Sequence, residues 1–553
     1  MRLIFFKNHV QATSKPVIAW LALLVLLGAV GPVIAACGNG GAGGHPAARS
    51  ASSRQTVPKR QGVRSPATIT VSGARCNVGF LRSSLHLSGV RVDSATMKAK
   101  PGSPSYCDVN LTKTDRTGTP SHIVIWLPRS WNGRFQGVGG AIYACGPFYY
   151  EMSPAIQRGY AVAATDCGVS PADRETASWA LKGGKLNWPV IRDYAYAGIH
   201  DMTVAGKAVT SAYYPAPLRF SYFNGCSTGG REGLVEAQRY PADYNGIVSG
   251  APAINWTRFI PAEIWPQLVM NRSRDFLPAC KEAAFASAAV HACGTRGVIA
   301  NPSACQWNAG KLAGVRTPCG VITQQDADVM NKIWQGPRDA SGKRLWYGAE
   351  RGTSLSAGLG ATIAGMDGQP FPIPVSWLGT WLQRNPSWDW HTLTYAKFDQ
   401  LFRQSVSEFS GTFAANNPDL SAFRKDGSKI IIWHGLSDQL IFPQGTVKYY
   451  QRMQRAMGGA RRVTSFARLF LAPGAEHCAS GAGAAPAMPG QPLDSLTRWV
   501  ETGKAPTTIP GAVTDPATNQ VTQTRPLCLY PRTARYAGHG SLAVASSYVC
   551  ESR

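Results

Sequence analysis

Apolar residues come along this chain in short, nearly unbroken runs, the pattern of strands buried in a sheet rather than alternating on a half-wet surface. Ile123-Val124-Ile125-Trp126-Leu127-Pro128 is one such run, closed by its proline, and Tyr160-Ala161-Val162-Ala163-Ala164-Thr165-Asp166 is the next. Arg219–Phe223, Gly246–Gly250, Lys429–Trp433 and Ser465–Leu471 complete the set. Between them, helical spacing runs over Ile199–Tyr214, Leu234–Arg239 and Pro443–Met457. Pro443 suits a first helical position, where its missing N–H would have had no partner. From Trp256 to about Phe423 the pattern loosens: Gly and Pro are frequent, four cysteines appear, and tryptophans crowd between Trp307 and Trp390. The alternation of strand and helix predicts an α/β domain built from residues 68–255 and 424–553, interrupted by a lid domain over 256–423.

Chemistry concentrates at the ends of these predicted strands. Asn224-Gly225-Cys226-Ser227-Thr228-Gly229-Gly230-Arg231-Glu232-Gly233 contains Gly-x-Ser-x-Gly between a strand and a helix, the setting in which this motif forms a nucleophile elbow. Such a turn lifts the Ser227 hydroxyl clear of the sheet and leaves the Thr228 N–H at the helix start, facing a developing oxyanion. A serine hydroxyl is a weak nucleophile unless a histidine takes its proton and a carboxylate orients that histidine. Asp438 follows the strand Lys429–Trp433, and His477 follows the strand Ser465–Leu471. Ser, then Asp, then His, each after a strand, is the chain order of an α/β-hydrolase. The second oxyanion donor of that fold sits in glycines after an early strand, which makes Gly139 and Gly140 equal candidates. Asp166, His434 and Glu476 are read as structural residues. Cys226 precedes Ser227 and Cys478 follows His477, so a site that joins serine to histidine brings the two sulfurs within reach of a disulfide.

Composition adds a compartment. Arg2, Lys7 and Lys15 precede an apolar stretch over Val17–Leu27, which reads as a secretion signal over residues 1–36. It ends in Ile34-Ala35-Ala36-Cys37, similar to a bacterial lipobox in which Cys37 carries the lipid; ordinary cleavage near Ala35 or Ala36 is the alternative. Without Cys37, 12 of the 13 cysteines remain, an even number suited to disulfides in an oxidising compartment. Residues 37–67, rich in Gly, Ala, Ser and Arg, read as a flexible tether that lifts the enzyme off a membrane. The formal charge of +25 is high, yet no basic run is interleaved with aromatics, so nucleic acid is not expected as a partner.

The elbow, together with Ala237-Gln238-Arg239-Tyr240-Pro241, Gly250-Ala251-Pro252-Ala253 and Trp433-His434-Gly435-Leu436-Ser437-Asp438, resembles the tannase and feruloyl esterase family, which includes the hydrolase of mono(2-hydroxyethyl) terephthalate. The resemblance runs from about residue 70 to the C-terminus. It implies an α/β-hydrolase fold with a large lid, a Ser227–Asp438–His477 triad, the Cys226–Cys478 bridge, and a small-molecule ester of an aromatic acid as substrate. It also supports Thr228 and a glycine near Gly140 as oxyanion donors. Proximity and resemblance suggest Cys76–Cys107, Cys293–Cys305 and Cys528–Cys550, while Cys145–Cys167 and Cys280–Cys319 are one choice among several. The family usually carries a calcium loop in the lid. The matching stretch here, Cys293-Gly294-Thr295-Arg296-Gly297-Val298-Ile299-Ala300-Asn301-Pro302, has no carboxylate and an arginine instead, so the expectation is that no metal and no other cofactor is used. Galloyl, feruloyl and terephthaloyl esters are not distinguished at this level, nor is the oligomeric state. Two rival readings are a lipase or peptidase of the same fold and a surface-anchored binding protein without catalysis. Arg384 is read as a surface arginine of a basic chain, with a substrate carboxylate as its alternative partner.

Overall fold

A computed structural model describes residues 68–357, 360, 369–478, 487–515, 518 and 520–552. The expected signal over 1–36, Cys37 and the tether to residue 67 lie outside the described residues. Nine strands form the central sheet: β1 (Val90–Lys98), β2 (Tyr106–Thr114), β3 (Pro120–Pro128), β4 (Arg134–Val138), β5 (Ala161–Thr165), β6 (Phe220–Cys226), β7 (Gly246–Gly250), β8 (Lys429–Gly435) and β9 (Ala467–Ala472). Their spatial order is β9-β8-β7-β6-β4-β5-β3-β2-β1. Strands β4 to β9 run parallel to one another, whereas β1–β2, β2–β3 and β3–β5 are antiparallel pairs. This is the α/β-hydrolase fold that the order of apolar runs predicts.

The apolar runs are unbroken because both faces of the sheet are covered. Phe223, Ile247, Ile430 and Ile432 pack on one face, and Tyr222, Val248, Ile431 and Trp433 on the other. Each such fully buried side chain is worth about 1.5–3 kcal/mol over its exposed state. Around the sheet and in the segment between β7 and β8 lie the helices α1 (Tyr149–Gln157), α2 (Gly198–Tyr213), α3 (Thr228–Arg239), α4 (Trp256–Glu263), α5 (Trp265–Ser273), α6 (Ala279–Cys293), α7 (Gln324–Gln335), α8 (Tyr395–Phe413), α9 (Gln444–Ala456) and α10 (Pro492–Thr502). Helices α2 and α3 cover the first face, through Ile199, Met202, Val209 and Leu234. Helices α1 and α10 cover the second, through Met152, Ile156, Leu496 and Trp499.

Strands β7 and β8 are parallel neighbours, with Gly246 opposite Lys429, although nearly 180 residues separate them in the chain. The chain between them, carrying α4 to α8, packs on the sheet domain through an aromatic cluster. Trp377 and Trp381 lie 5.0 Å apart, and Trp381 also meets Phe413 at 5.4 Å and, from the sheet domain, Tyr143 at 6.0 Å. Trp377 and Trp381 are fully buried and Trp390 nearly so, so these three rings serve as core of the insertion. Six disulfides cross-link the described chain: Cys76–Cys107, Cys145–Cys167, Cys226–Cys478, Cys280–Cys319, Cys293–Cys305 and Cys528–Cys550.

Candidate active site

Strand β6 ends at Cys226 and α3 begins at Thr228, so the whole reversal falls on Ser227. Its backbone sits at φ 64°, ψ −124°, which a side-chain-bearing residue adopts at a cost of about 1–3 kcal/mol. Backbone hydrogen bonds over-determine that geometry. The Ser227 N–H donates to the Gly250 carbonyl at 3.0 Å, and the Ser227 carbonyl accepts from the Arg231 and Ala253 N–H groups, each at 3.0 Å. The flanking glycines are needed because main chains touch here: a Cβ on Gly225 would lie 2.6 Å from the Gly229 carbonyl, and one on Gly229 would lie 3.1 Å from Gly139 Cα.

Asp438 occupies the turn after β8 and is completely buried. Its Oδ1 accepts from the N–H groups of Leu440 (3.0 Å) and Ile441 (2.8 Å). Its Oδ2 lies 2.9 Å from His477 Nδ1 and 3.0 Å from His434 Nε2. Burial pushes this carboxyl up, but the charges and hydrogen bonds of His477 and His434 outweigh burial and hold it well below the usual carboxylate range. His477 stands in the loop after β9, where its own N–H donates to Gln439 Oε1 at 3.2 Å. A carboxylate on Nδ1 assigns the ring proton to that nitrogen and leaves the Nε2 lone pair to take a proton. The Cys226–Cys478 bridge, with Cα atoms 6.1 Å apart, ties the elbow to the histidine loop across a sequence separation of 252 residues. Ser227 and His477 therefore each lie one residue from the same cross-link.

His434 is more closely tied to this group than its reading as a structural residue implied. It is fully buried, Nε2 also lies 2.8 Å from the Ile441 carbonyl, and Nδ1 lies 2.9 Å from Thr446 Oγ1. A carbonyl can only accept, so Nε2 carries the proton and donates to Asp438 as well. Asp438 thus faces two histidines. The signal was the four-residue spacing of His434 and Asp438 across a strand end.

The oxyanion loop departs from expectation. Thr228 is buried at the start of α3, its Oγ1 donates to the Ile142 carbonyl at 2.7 Å, and its N–H has no acceptor among the described residues. Neither glycine candidate is free. The Gly139 N–H donates to the Asn224 carbonyl at 3.3 Å, and the Gly140 N–H donates to Glu232 Oε2 at 2.8 Å. What Gly139 contributes is close approach, since a Cβ there would run into Gly229 and Glu232. Beyond them the Ala141 N–H is taken by the Ala144 carbonyl, whereas the Ile142 N–H, at φ 56°, has no acceptor among the described residues. Glu232, one turn into α3, lies inside the elbow motif but is assigned no role from the sequence alone. It is buried, its Oε1 has no hydrogen-bond partner among the described residues, and burial pushes its pKa up to about 8 against the opposing pull of Arg231 and the Gly140 N–H.

Other candidates lie elsewhere. Asp166 accepts from the His122 and Gly168 N–H groups at the end of β5, both at 2.8 Å, a structural role. Arg384 is held by the Glu408 carboxylate and the Trp381 carbonyl. Glu476 is buried in the histidine loop. A cleft of about 380 Å³ opens beside Leu436 and Leu471, between the insertion and the sheet domain, but Ser227, Asp438 and His477 do not line it. The Cys293–Pro302 stretch does not suit calcium. It supplies no carboxylate, and its Arg296 guanidinium stacks 4.3 Å from the centre of the Tyr536 ring.

Comparison with known proteins bears on the family and the fold. The family model described as tannase and feruloyl esterase matches residues 109–551. A probable feruloyl esterase of Arthroderma benhamiae is 41% identical over 482 residues, covering 83% of this chain and 89% of that protein. Feruloyl esterase B of Aspergillus niger is 28% identical over 506 residues, covering 86% and 92%. Among solved structures, feruloyl esterase B from Aspergillus oryzae superposes with a TM-score of 0.75 at 25% identity, over 86% of this chain and 99% of that one. Tannin acyl hydrolase from Aspergillus niger superposes at 0.77 with 21% identity, over 88% and 96%, a likeness of fold.

Proposed function

The chain belongs to the tannase and feruloyl esterase family and is a carboxylic ester hydrolase, and from that premise we propose that it works as a serine esterase on esters of aromatic acids. The observation that carries the reading is the strained Ser227 elbow cross-linked, through Cys226–Cys478, to a His477 whose Nδ1 faces the buried Asp438. Ser227 attacks the ester carbonyl while His477 Nε2 takes its proton. The oxyanion is held by the Thr228 N–H and, from the loop after β4, by the Ile142 N–H, each such donor being worth about 10²–10³ in rate. His477 then protonates the leaving alcohol, and water activated by the same ring releases the acid from the acyl-enzyme. Asp438 stays ionised throughout and stabilises the imidazolium.

The 41% identical relative, a probable feruloyl esterase, favours a hydroxycinnamoyl ester over a galloyl one. The segment between β7 and β8 serves as the lid that shapes the acyl pocket. The six disulfides suit an oxidising compartment outside the cytoplasm. The Ile34–Cys37 pattern supports either a lipid anchor on Cys37 or a freely secreted chain. The lid works without calcium, because Arg296 stands where carboxylates would be needed. Ser227→Ala tests the mechanism: it is expected to abolish turnover of methyl ferulate and methyl gallate, and labelling by a fluorophosphonate probe, with the melting temperature held. Undiminished turnover in that variant overturns the serine mechanism, and a wild-type protein that the probe does not label favours a binding protein over an enzyme.

A further inference from the structure

On the first face of the sheet, away from Ser227, the far end of the nucleophile helix meets its neighbour in an unusual group. His200 lies in the first turn of α2, Glu236 in the last turn of α3, and Asp243 in the connection that leads into β7. One ring nitrogen and one oxygen from each carboxylate lie within 4.8 Å of one another. His200 Nδ1 is 2.6 Å from Asp243 Oδ2. The imidazole is set in place by stacking on Tyr240, with ring centres 3.9 Å apart and planes within 7° of parallel.

Glu236 is what makes the group hard to explain as ordinary packing. It is completely buried, and neither of its carboxylate oxygens has a hydrogen-bond donor among the described residues. What lies beside it, within hydrogen-bonding reach once one of the two is protonated, is a second carboxylate, Asp243. Two acids side by side in a buried site repel unless a proton or a cation lies between them. The neighbouring cation is Lys207, whose ammonium donates to the Asp243 main-chain carbonyl and lies 5.6 Å from the centre of the Tyr244 ring; its single charge draws the Glu236 carboxyl down but offsets only part of two carboxylates and does not outweigh burial. His200 and Asp243 are partly exposed, which leaves a path from solvent to the buried Glu236.

We propose that His200, Glu236 and Asp243 form a structural site for a divalent transition metal of the Zn²⁺ or Mn²⁺ type, joining α2 to α3. The donor set is one imidazole nitrogen and two carboxylates, which neutralises a dication and suits these ions; calcium asks for six or more oxygens, and this group does not supply them. Metal–ligand bonds of about 2.0–2.2 Å place neighbouring ligands roughly 3.3 Å apart. The His200–Asp243 pair therefore opens by less than about 1 Å to admit the ion, and the wider contacts close onto it. Water completes the shell on the exposed side. The ion stiffens the end of α3 opposite Ser227, so its effect is on stability and not on the chemical step, and it stands whether or not Ser227 is the nucleophile.

The test uses the whole chain, stripped with chelator and then exchanged into metal-free buffer. Zinc chloride and, separately, manganese chloride are titrated while melting temperature is followed, and bound metal is measured after gel filtration. The wild type is expected to retain about one equivalent of one of these ions and to melt a few degrees higher with it. Glu236→Gln and His200→Gln are each expected to lose both the bound ion and the shift. Because Glu236→Gln removes a buried acid from beside another, its metal-free form should melt no lower than the metal-free wild type, which separates a lost ligand from a damaged fold. The proposal is overturned if the wild type binds neither ion, or if both variants bind and respond as the wild type does. Either result leaves Glu236 and Asp243 sharing a proton.

Discussion

Removing the Cys226–Cys478 bridge as a Cys226→Ser/Cys478→Ser double variant tests two consequences of one bond. The cross-linked residues are 252 apart in sequence, and loop-closure entropy grows only with the logarithm of that length. Cys280–Cys319, nested inside, shortens the free loop by 39 residues, which changes the logarithm little. The bridge is then worth about 5 kcal/mol in the unfolded chain, near the top of the observed range. Cys293–Cys305, with a separation of 12, is worth about 3 kcal/mol on the same scale. Urea unfolding of the wild type and both double variants should therefore rank Cys226→Ser/Cys478→Ser as the more damaging. The second consequence is kinetic. Asp438 follows β8, His477 follows β9 and Ser227 sits on the β6–α3 turn, and the bridge fixes the separation of the histidine loop from that turn. Loss of that register is expected to lower kcat on methyl ferulate by about 10–100-fold at temperatures where the variant is still folded. A double variant that unfolds no earlier than the Cys293→Ser/Cys305→Ser control refutes the entropic argument. One that is destabilised yet keeps full kcat refutes the positioning argument alone.

Four further outcomes follow from the buried charges and from the segment between β7 and β8. Asp438 has a depressed pKa in the folded chain, so its stabilising contribution is complete above the unfolded value of about 3.9 and is lost as pH falls below it. His434→Leu removes one of the two histidine donors to Asp438 Oδ2; acid unfolding followed by circular dichroism should then begin at a higher pH, with kcat lowered about tenfold. Glu232 is the opposite case. Its folded pKa is raised to about 8, so wild type should lose stability relative to Glu232→Gln as pH climbs from about 4.3 towards 8, a slope that urea unfolding at pH 5 and pH 8 measures. Because glutamine still offers an oxygen to the Gly140 N–H, kcat of Glu232→Gln should stay within a few-fold of wild type, whereas Glu232→Ala should lose about tenfold or more. Added calcium or a calcium-selective chelator should leave the melting temperature unchanged, and a calcium-dependent rise would show that other oxygens than those of the Cys293–Pro302 stretch hold the ion.

Much of the architecture was legible one residue at a time. Strands covered on both faces must be apolar on both, so β3, β5, β6, β7, β8 and β9 stood out as runs. The elbow was legible for a related reason: main chains that touch exclude side chains, and Gly225, Gly229 and Gly230 record those contacts as letters. The candidate Ser227, Asp438 and His477 could be ordered because each follows a strand, and adjacent cysteines marked two of them. The antiparallel β1 and β2 carry polar outer faces and gave weaker runs.

What the letters could not carry is which partner each polar group finds. Gly140 and Glu232 are 92 positions apart, and nothing local indicates that the glycine N–H is bonded to that carboxylate and so is unavailable to a substrate. His434 and Asp438 are close in sequence, but their pairing depends on a turn that aims both at one oxygen also used by His477 from another strand. His200, Glu236 and Asp243 belong to two helices and a connection, and their meeting exists only after α2 has packed on α3. Apolar patterning is a local property because burial is set by the period of the element that carries it. Hydrogen bonds and charge pairs are short-ranged and directional, so they are settled only when distant segments arrive within about 3 Å of each other.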